Sequence, residues 1–224
     1  MSGRVIFFDV IETLFSLAPL HDRFSKLGLP EQTAPLFFTQ LLRDAFALSA
    51  AGRFQPFPTI ARATLEVVLT NAGSPVNDDR VERILGEFSR LPAHPDVRPA
   101  LERVRASADT RAILLTNGSR DNTEKLVQEA GLESLVDDIV SIEEFRVWKP
   151  MAQVYRQAAA RAGVAPEQAT LVAAHAWDTN GAIEAGLNAV WVRRQDTTYH
   201  ALMATPRACV ANLEEAVRAV LSPA

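Results

Sequence analysis

Cysteine is nearly missing from this chain: Cys209 stands alone in 224 residues. That excludes an intrachain disulfide and makes a reducing cytoplasm the expected compartment. Within Ala208-Cys209-Val210 it reads as a small buried residue and not as a nucleophile. An excess of positive charge is missing too. The 23 Lys and Arg face 27 Asp and Glu, giving a net charge of −4 and a pI of about 5.6. Without a basic block, no nucleic-acid footprint is expected. No apolar run approaches the ~20 residues that span a bilayer. Met1-Ser2-Gly3-Arg4 leads straight into a strand pattern, so no signal peptide is expected. Repeats and low-complexity stretches are also absent. What is present is 48% hydrophobic content. That is enough for a sizeable core, in one large domain or in a domain with a big insertion.

Short apolar strands recur along the chain. Arg4 to Phe8 is the first, with four apolar residues in a row. Ala112 to Leu115, Asp138 to Val140, Leu171 to Ala174 and Ala189 to Val192 follow. Helical patterns lie between them at Asp121 to Ala130, Ala152 to Ala162 and Asn180 to Ala185. Each is followed by a glycine, Gly131, Gly163 or Gly186, placed as a C-terminal cap. Strand, helix, strand at this spacing predicts βαβ units and a parallel sheet covered on both faces. Residues 16–92 differ. They hold amphipathic helical patterns at Leu20 to Leu27, Pro35 to Ala51, Thr59 to Ala72 and Asp78 to Ser89. Pro56, Pro58 and Gly73-Ser74-Pro75 break them apart. The organisation expected is an α/β core of residues 1–15 and 93–224, interrupted by a helical block over 16–92.

Four chemistry-bearing clusters fall at or near predicted strand ends. Asp9 with Glu12 and Thr13 follows the first strand. Thr116-Asn117-Gly118-Ser119 follows the second. Lys149-Pro150 comes after the third, and His175-Ala176-Trp177-Asp178 after the fourth. The carboxyl edge of an open α/β sheet is where ligands bind, and a carboxylate there is costly unless cations or donors face it. Each cluster alone has a structural reading. Asp9 suits a turn, Thr116 to Ser119 a capping turn, Lys149 a solvated surface and Asp178 a helix N-terminus. The shared position after successive strands favours function.

In this order the clusters resemble the four motifs of the haloacid dehalogenase superfamily, over essentially the whole chain. Phe8-Asp9-Val10-Ile11-Glu12-Thr13-Leu14 matches the first, Leu115-Thr116-Asn117-Gly118 the second, Lys149-Pro150 the third and Trp177-Asp178 the fourth. The resemblance implies a Rossmann-like core, a helical cap domain and Asp9 as covalent nucleophile. Phosphatases of the superfamily carry a second Asp two residues after the nucleophile, and here that residue is Ile11. Their Mg²⁺ site also draws further acids from the fourth motif, and here Thr179-Asn180-Gly181-Ala182 follow Asp178. Both departures resemble the (S)-2-haloacid dehalogenase branch. So do Ala176-Trp177-Asp178 and Val154-Tyr155 after Lys149-Pro150. Those enzymes need no metal or other cofactor. The nucleophile displaces halide from a short 2-haloacid, and water hydrolyses the ester. A small-molecule partner is thus implied, with no role for membranes. Family members are often dimers, which leaves a homodimer open.

Relative to that branch, Glu12 replaces a glycine, His175 an asparagine, and Ala173 a serine. A cap arginine that handles halide falls on Phe38, with Arg43 and Arg53 nearby in sequence. Glu12 and His175 are expected to share the Asp9 site. A carboxylate beside a histidine fixes its tautomer and makes it a general base near neutral pH. The reading favoured is that His175 activates the water that cleaves the Asp9 ester. The structural alternative has His175 capping the next helix and Glu12 paired with Lys149. Lys149 should keep Asp9 ionised, with Asp178 orienting Lys149 or the water. Thr116, the second-motif amides and the amides of Val10 and Ile11 are candidates for the substrate carboxylate. Thr13 ties down the first-motif loop. Phe38, Asn117 and Trp177 are expected on the halide and alkyl side. Tyr155 reads equally as a site residue and as core. His21, His94 and His200 have no partner at ligand spacing, and no metal site is expected. A Mg²⁺-dependent phosphatase, a hydrolase opening another activated C–N or C–O bond, and a catalytically dead binding module are the competing functions.

Overall fold

The computed structural model describes residues 3–222. Six strands form one parallel sheet: β1 (Arg4–Phe8), β2 (Thr110–Thr116), β3 (Asp138–Ser141), β4 (Ala169–Ala173), β5 (Asn188–Val192) and β6 (Ala208–Val210). Their spatial order is β3-β2-β1-β4-β5-β6. The order reverses between β1 and β4, and the crevice beyond the carboxyl ends at such a reversal is the ligand position of doubly wound folds. Phe8 pairs with both Leu114 and Val172. The residues that follow β1 and β4 therefore emerge side by side at the reversal. The four apolar residues of β1 and all of β4 are buried, as strands covered on both faces must be.

Between β1 and the rest of the sheet lie α1 (Ala18–Lys26), α2 (Thr33–Ala50), α3 (Phe57–Asn71) and α4 (Asp78–Leu85). Asn77 caps α4 through its side chain, with Asp78 and Asp79 in the first turn, where acids complement the helix dipole. The pattern read as one helix to Ser89 stops at Leu85, and Gly86–Ser89 tightens into a 3-10 turn. That tightening turns Glu87 onto Arg23 and Phe88 among Phe37, Phe38 and Phe57. The helical block shares one continuous apolar cluster with the sheet.

The remaining helices are α5 (Val97–Arg105), α6 (Arg120–Glu129), α7 (Ala152–Arg161), α8 (Ala176–Glu184) and α9 (Leu213–Leu221). Gly131, Gly163 and Gly186 follow α6, α7 and α8 as expected. Three elements lie outside the sequence reading: α5, α9 and β6. The two helices carry a clear signal, with buried Val97, Ala100, Leu101 and Val104 in α5 and Leu213, Ala216, Val217 and Val220 in α9. β6 carries none, being three residues at the sheet edge. That edge also corrects Cys209, which is exposed and not buried. Finally, α8 begins at Ala176 and not near Asn180, so Trp177 and Asp178 sit on its first turn. No helix among the described residues is long and apolar enough to cross a membrane.

Candidate active site

Asp9 leaves β1 almost fully buried, 6% exposed. Its Oδ1 accepts from Lys149 Nζ at 2.8 Å and its Oδ2 from Thr13 Oγ1 at 2.6 Å. Thr13 Oγ1 accepts in turn from the Ala174 amide at 2.9 Å, which ties the β1 and β4 ends together. Lys149 has no exposed surface. Its ammonium uses all three donors, on Asp9, on Asp178 Oδ2 at 2.6 Å and on the Leu115 carbonyl at 3.1 Å. Tyr155 hydroxyl donates to Asp178 Oδ1. A Cβ on Gly181 would lie 2.7 Å from the Pro150 carbonyl oxygen and 2.8 Å from the Tyr155 hydroxyl. Only glycine lets α8 approach this closely.

Electrostatics follow from that packing. Burial works against an ionised Asp9, but Lys149 and His175 outweigh it and hold the carboxyl well below the usual carboxylate range. Burial also works against the Lys149 charge, and Asp178 and Asp9 raise it nonetheless. Asp178 is pushed up by burial against the pull of Lys149, with Asp9 adding to the rise. Every charge in this ion row has a close partner and every oxygen of Asp9 and Asp178 a donor, which is the condition for burying such charges.

His175 closes the other side of Asp9. Its Nε2 lies 2.7 Å from Glu12 Oε2. Its Nδ1 faces Asp9 Oδ2 at 3.4 Å, out of line for a hydrogen bond, and is buried without a hydrogen-bond partner. Glu12 thus pairs with His175, not with Lys149. His175 occupies the N-cap position of α8 but makes no side-chain cap. Glu12 has φ of +66°, a left-handed conformation that costs a non-glycine residue on the order of 1 kcal/mol or more. The backbone here suits glycine, and the glutamate side chain is held at that cost. One expectation is corrected. Burial disfavours charge on His175, yet Asp9 and Glu12 together raise it to about 10. In the resting site it is an imidazolium and not a base near neutral pH.

A recess of about 20 Å³ lies over Asp9, lined by Ile11, Thr116, Asn117, Phe38, Phe57 and Trp177 among others. That is room for about one water. A larger cavity of about 600 Å³ opens beyond Phe38, Leu42, His175 and Trp177, which line both. Trp177 stacks on His175 with ring centres 5.1 Å apart and meets Phe46 at 5.0 Å. The side chains of Val10, Thr13 and Tyr155 line neither space. Thr13 and Tyr155 stand behind the carboxylates they bind, and the Val10 side chain is core. The backbone amides of Val10, Ile11 and Asn117 bond no acceptor among the described residues, whereas the Gly118 amide is taken by Thr116 Oγ1 at 2.9 Å. Arg43 lines the larger cavity, paired with Asp44 at 2.8 Å, and Arg53 lines neither. Leu42 and Phe46 were missed, although their i, i+4, i+8 spacing from Phe38 places them on one face of α2.

A divalent cation does not fit these donors. Mg²⁺ demands a near-octahedral set of oxygens. Here each oxygen of Asp9 and Asp178 already accepts from Lys149, Thr13 or Tyr155. Among the described residues no group of three or more His, Cys, Asp or Glu is placed to hold a metal.

Comparison with known proteins agrees with this layout. An (S)-2-haloacid dehalogenase of Pseudomonas putida is 26% identical over 212 residues, covering 94% of this chain and 93% of the relative. That of Pseudomonas fluorescens is 27% identical over 210 residues, covering 93% and 92%. The L-2-haloacid dehalogenase of Xanthobacter autotrophicus, solved with chloropropionic acid covalently bound, superposes with a TM-score of 0.90 at 21% identity, over 99% of this chain and 100% of that one. Haloacid dehalogenase-like hydrolases match residues 4–186. That match runs from β1 past the end of α8 and takes in all four strand-end clusters, so this chain belongs to the haloacid dehalogenase-like hydrolase family.

Proposed function

We propose that the protein hydrolyses short (S)-2-haloalkanoic acids to 2-hydroxy acids through an ester on Asp9, without a metal. The observation that carries this reading is the Asp9–Lys149 pair, a buried carboxylate kept ionised beside an ammonium, with Ile11 where a phosphatase acid would stand. Asp9 attacks the halogen-bearing carbon, a C–O bond forms, and the C–X electron pair leaves as halide. Halide needs no proton, so Ile11 is no handicap. The unpartnered amides of Val10, Ile11 and Asn117 receive the substrate carboxylate. Phe38, Asn117 and Trp177 face the halide and alkyl side. Phe38 stands in for a cationic halide ligand with an apolar wall.

Esterification changes the charge balance. Asp9 loses its negative charge, and with it goes one of the two carboxylates that hold the His175 proton. The imidazolium then has only Glu12, its pKa falls, and it releases its Nδ1 proton to solvent, so that Nδ1 is free to take a proton from the attacking water. That water attacks the ester carbonyl of Asp9. The proton passes to the departing alkoxide, and Asp9 is restored. His175 is thus acid-loaded at rest and a base only when a base is required. Relatives named as (S)-2-haloacid dehalogenases support the substrate class.

The test is incubation with L- and D-2-chloropropionate, with and without EDTA, followed by halide measurement. Chloride release from the L-acid, unchanged by EDTA, is expected. Loss of activity on chelation, or hydrolysis of phosphoesters in place of haloacids, would overturn the reading.

A further inference from the structure

The motif-one loop is clamped from behind by groups that touch neither cavity over Asp9. Arg194 follows β5 with its side chain only 13% exposed. Its Nε and Nη2 donate to the Thr13 carbonyl at 3.3 and 3.0 Å, and Nη2 also meets Asp96 Oδ1 at 2.8 Å. Asp96 is held in turn by the Leu213 amide at 2.8 Å, at the start of α9. His94 Nε2 lies 3.2 Å from the Glu12 carbonyl. A carbonyl only accepts, so Nε2 carries the hydrogen. The His94 and Ser16 amides add bonds to the Leu14 and Pro92 carbonyls at 2.9 Å each.

Two consecutive carbonyls, those of Glu12 and Thr13, are therefore fixed by side chains from distant segments. Both follow the Glu12 N–Cα bond, where φ is +66°, so they fix the chain immediately downstream of that turn. A strained conformation persists only when its surroundings over-determine it. Side-chain direction follows from that backbone, so the clamp aims Glu12 Oε2 at His175.

We infer that Arg194 and His94 are positioning residues for the second half-reaction, acting through Glu12 on His175. This rests on the proposed two-step reaction. Neither residue is placed to touch substrate over Asp9. Loss of either lets the Glu12 backbone relax toward negative φ and swings its carboxylate off the imidazole. Ester formation, which needs Asp9 and Lys149, changes little. Ester hydrolysis slows.

Arg194→Met and His94→Leu each separate the two steps. In rapid-quench experiments with L-2-chloropropionate, the first-turnover chloride burst should stay within about twofold of the parent. Ester hydrolysis should fall roughly tenfold, a part of the 10²–10⁴ that a positioned base contributes. The Asp9 ester should accumulate by mass spectrometry. Arg194→Lys should restore part of the rate. In a Glu12→Gln background, Arg194→Met should have no further effect, because its route of action is gone. A slowed burst, or an undiminished effect in that background, overturns the inference. A readout without substrate keeps it separate from the reaction assigned. In the resting protein, NMR titration of His175 should show a lower pKa in Arg194→Met than in the parent, and an unchanged value sinks the inference even if the parent releases no halide.

Discussion

The carboxyl edge of the sheet and the helical block that faces it do opposite kinds of work. The sheet edge places five titratable groups, Asp9, Glu12, Lys149, His175 and Asp178, within one linked set of ion pairs at 2.6 to 3.4 Å. The helical block contributes Phe38, Leu42, Phe46 and Phe57 to the same region. Several of its own charges sit outside in exposed pairs such as Arg62 with Asp78 and Arg83 with Asp79, which stabilise little. One side holds charge rigidly, and the other excludes water and sets shape. Chemistry and substrate range are thus carried by different parts of the chain.

Substitutions on the two sides should separate accordingly. The largest effect belongs to Asp9→Asn, which should reduce halide release by about 10⁴-fold or more, measured as chloride. Next, His175→Asn should keep the chloride burst yet slow turnover by about 10²–10⁴. The same variant tests the electrostatics of the folded state. His175 is raised from 6.5 to about 10 on folding. A raised pKa stabilises fully below the unfolded value and less as pH climbs toward the folded one. The parent's urea midpoint should therefore fall between pH 7 and 10, and His175→Asn should lose that part of the slope.

On the other side of the comparison, Phe38→Ala should leave the pH profile alone. It should cost about 3 kcal/mol in stability and admit bulkier 2-halo acids, read as a shift in relative kcat/KM with chain length. If Phe38→Ala instead changed the pH profile, the division of labour would be wrong. The smallest effect comes from comparing Glu12→Gly with Glu12→Ala. Both lose the His175 partner, but glycine tolerates φ of +66° and alanine does not. The glycine variant should be more stable by about 1 kcal/mol, measured by denaturant unfolding. Equal stabilities would mean that the loop relaxes without its glutamate.

Strands of four or five apolar residues ending in Asp9, Thr116 or Ala174 announce themselves by composition, and their parallel order follows from the helices between them. Glu12 and His175 stood out as paired departures in the resemblance and do meet. The protonation of His175 was not legible, because it depends on both carboxylates reaching one ring at the distances found. Arg194, Asp96 and His94 were not legible for another reason. Arg194 and His94 bond backbone carbonyls and Asp96 a backbone amide, and backbone groups leave no mark on residue type. Leu42 and Phe46 were legible in principle, since they share a helix face with Phe38. Only the structure shows that Phe37, Leu41 and Ala45 on the adjacent face of α2 take the core and leave this stripe looking onto the site.

The chain leaves the sheet at Ser16 and returns at Pro92, and there the two strands are a single 2.9 Å hydrogen bond apart, with Phe15 bridged to Ala93 beside them. Topologically the whole helical block is therefore one long loop whose ends already meet. No strand pair draws a residue from it. A block grafted between those two points is expected to change which acids are accepted while the sheet keeps its pairing.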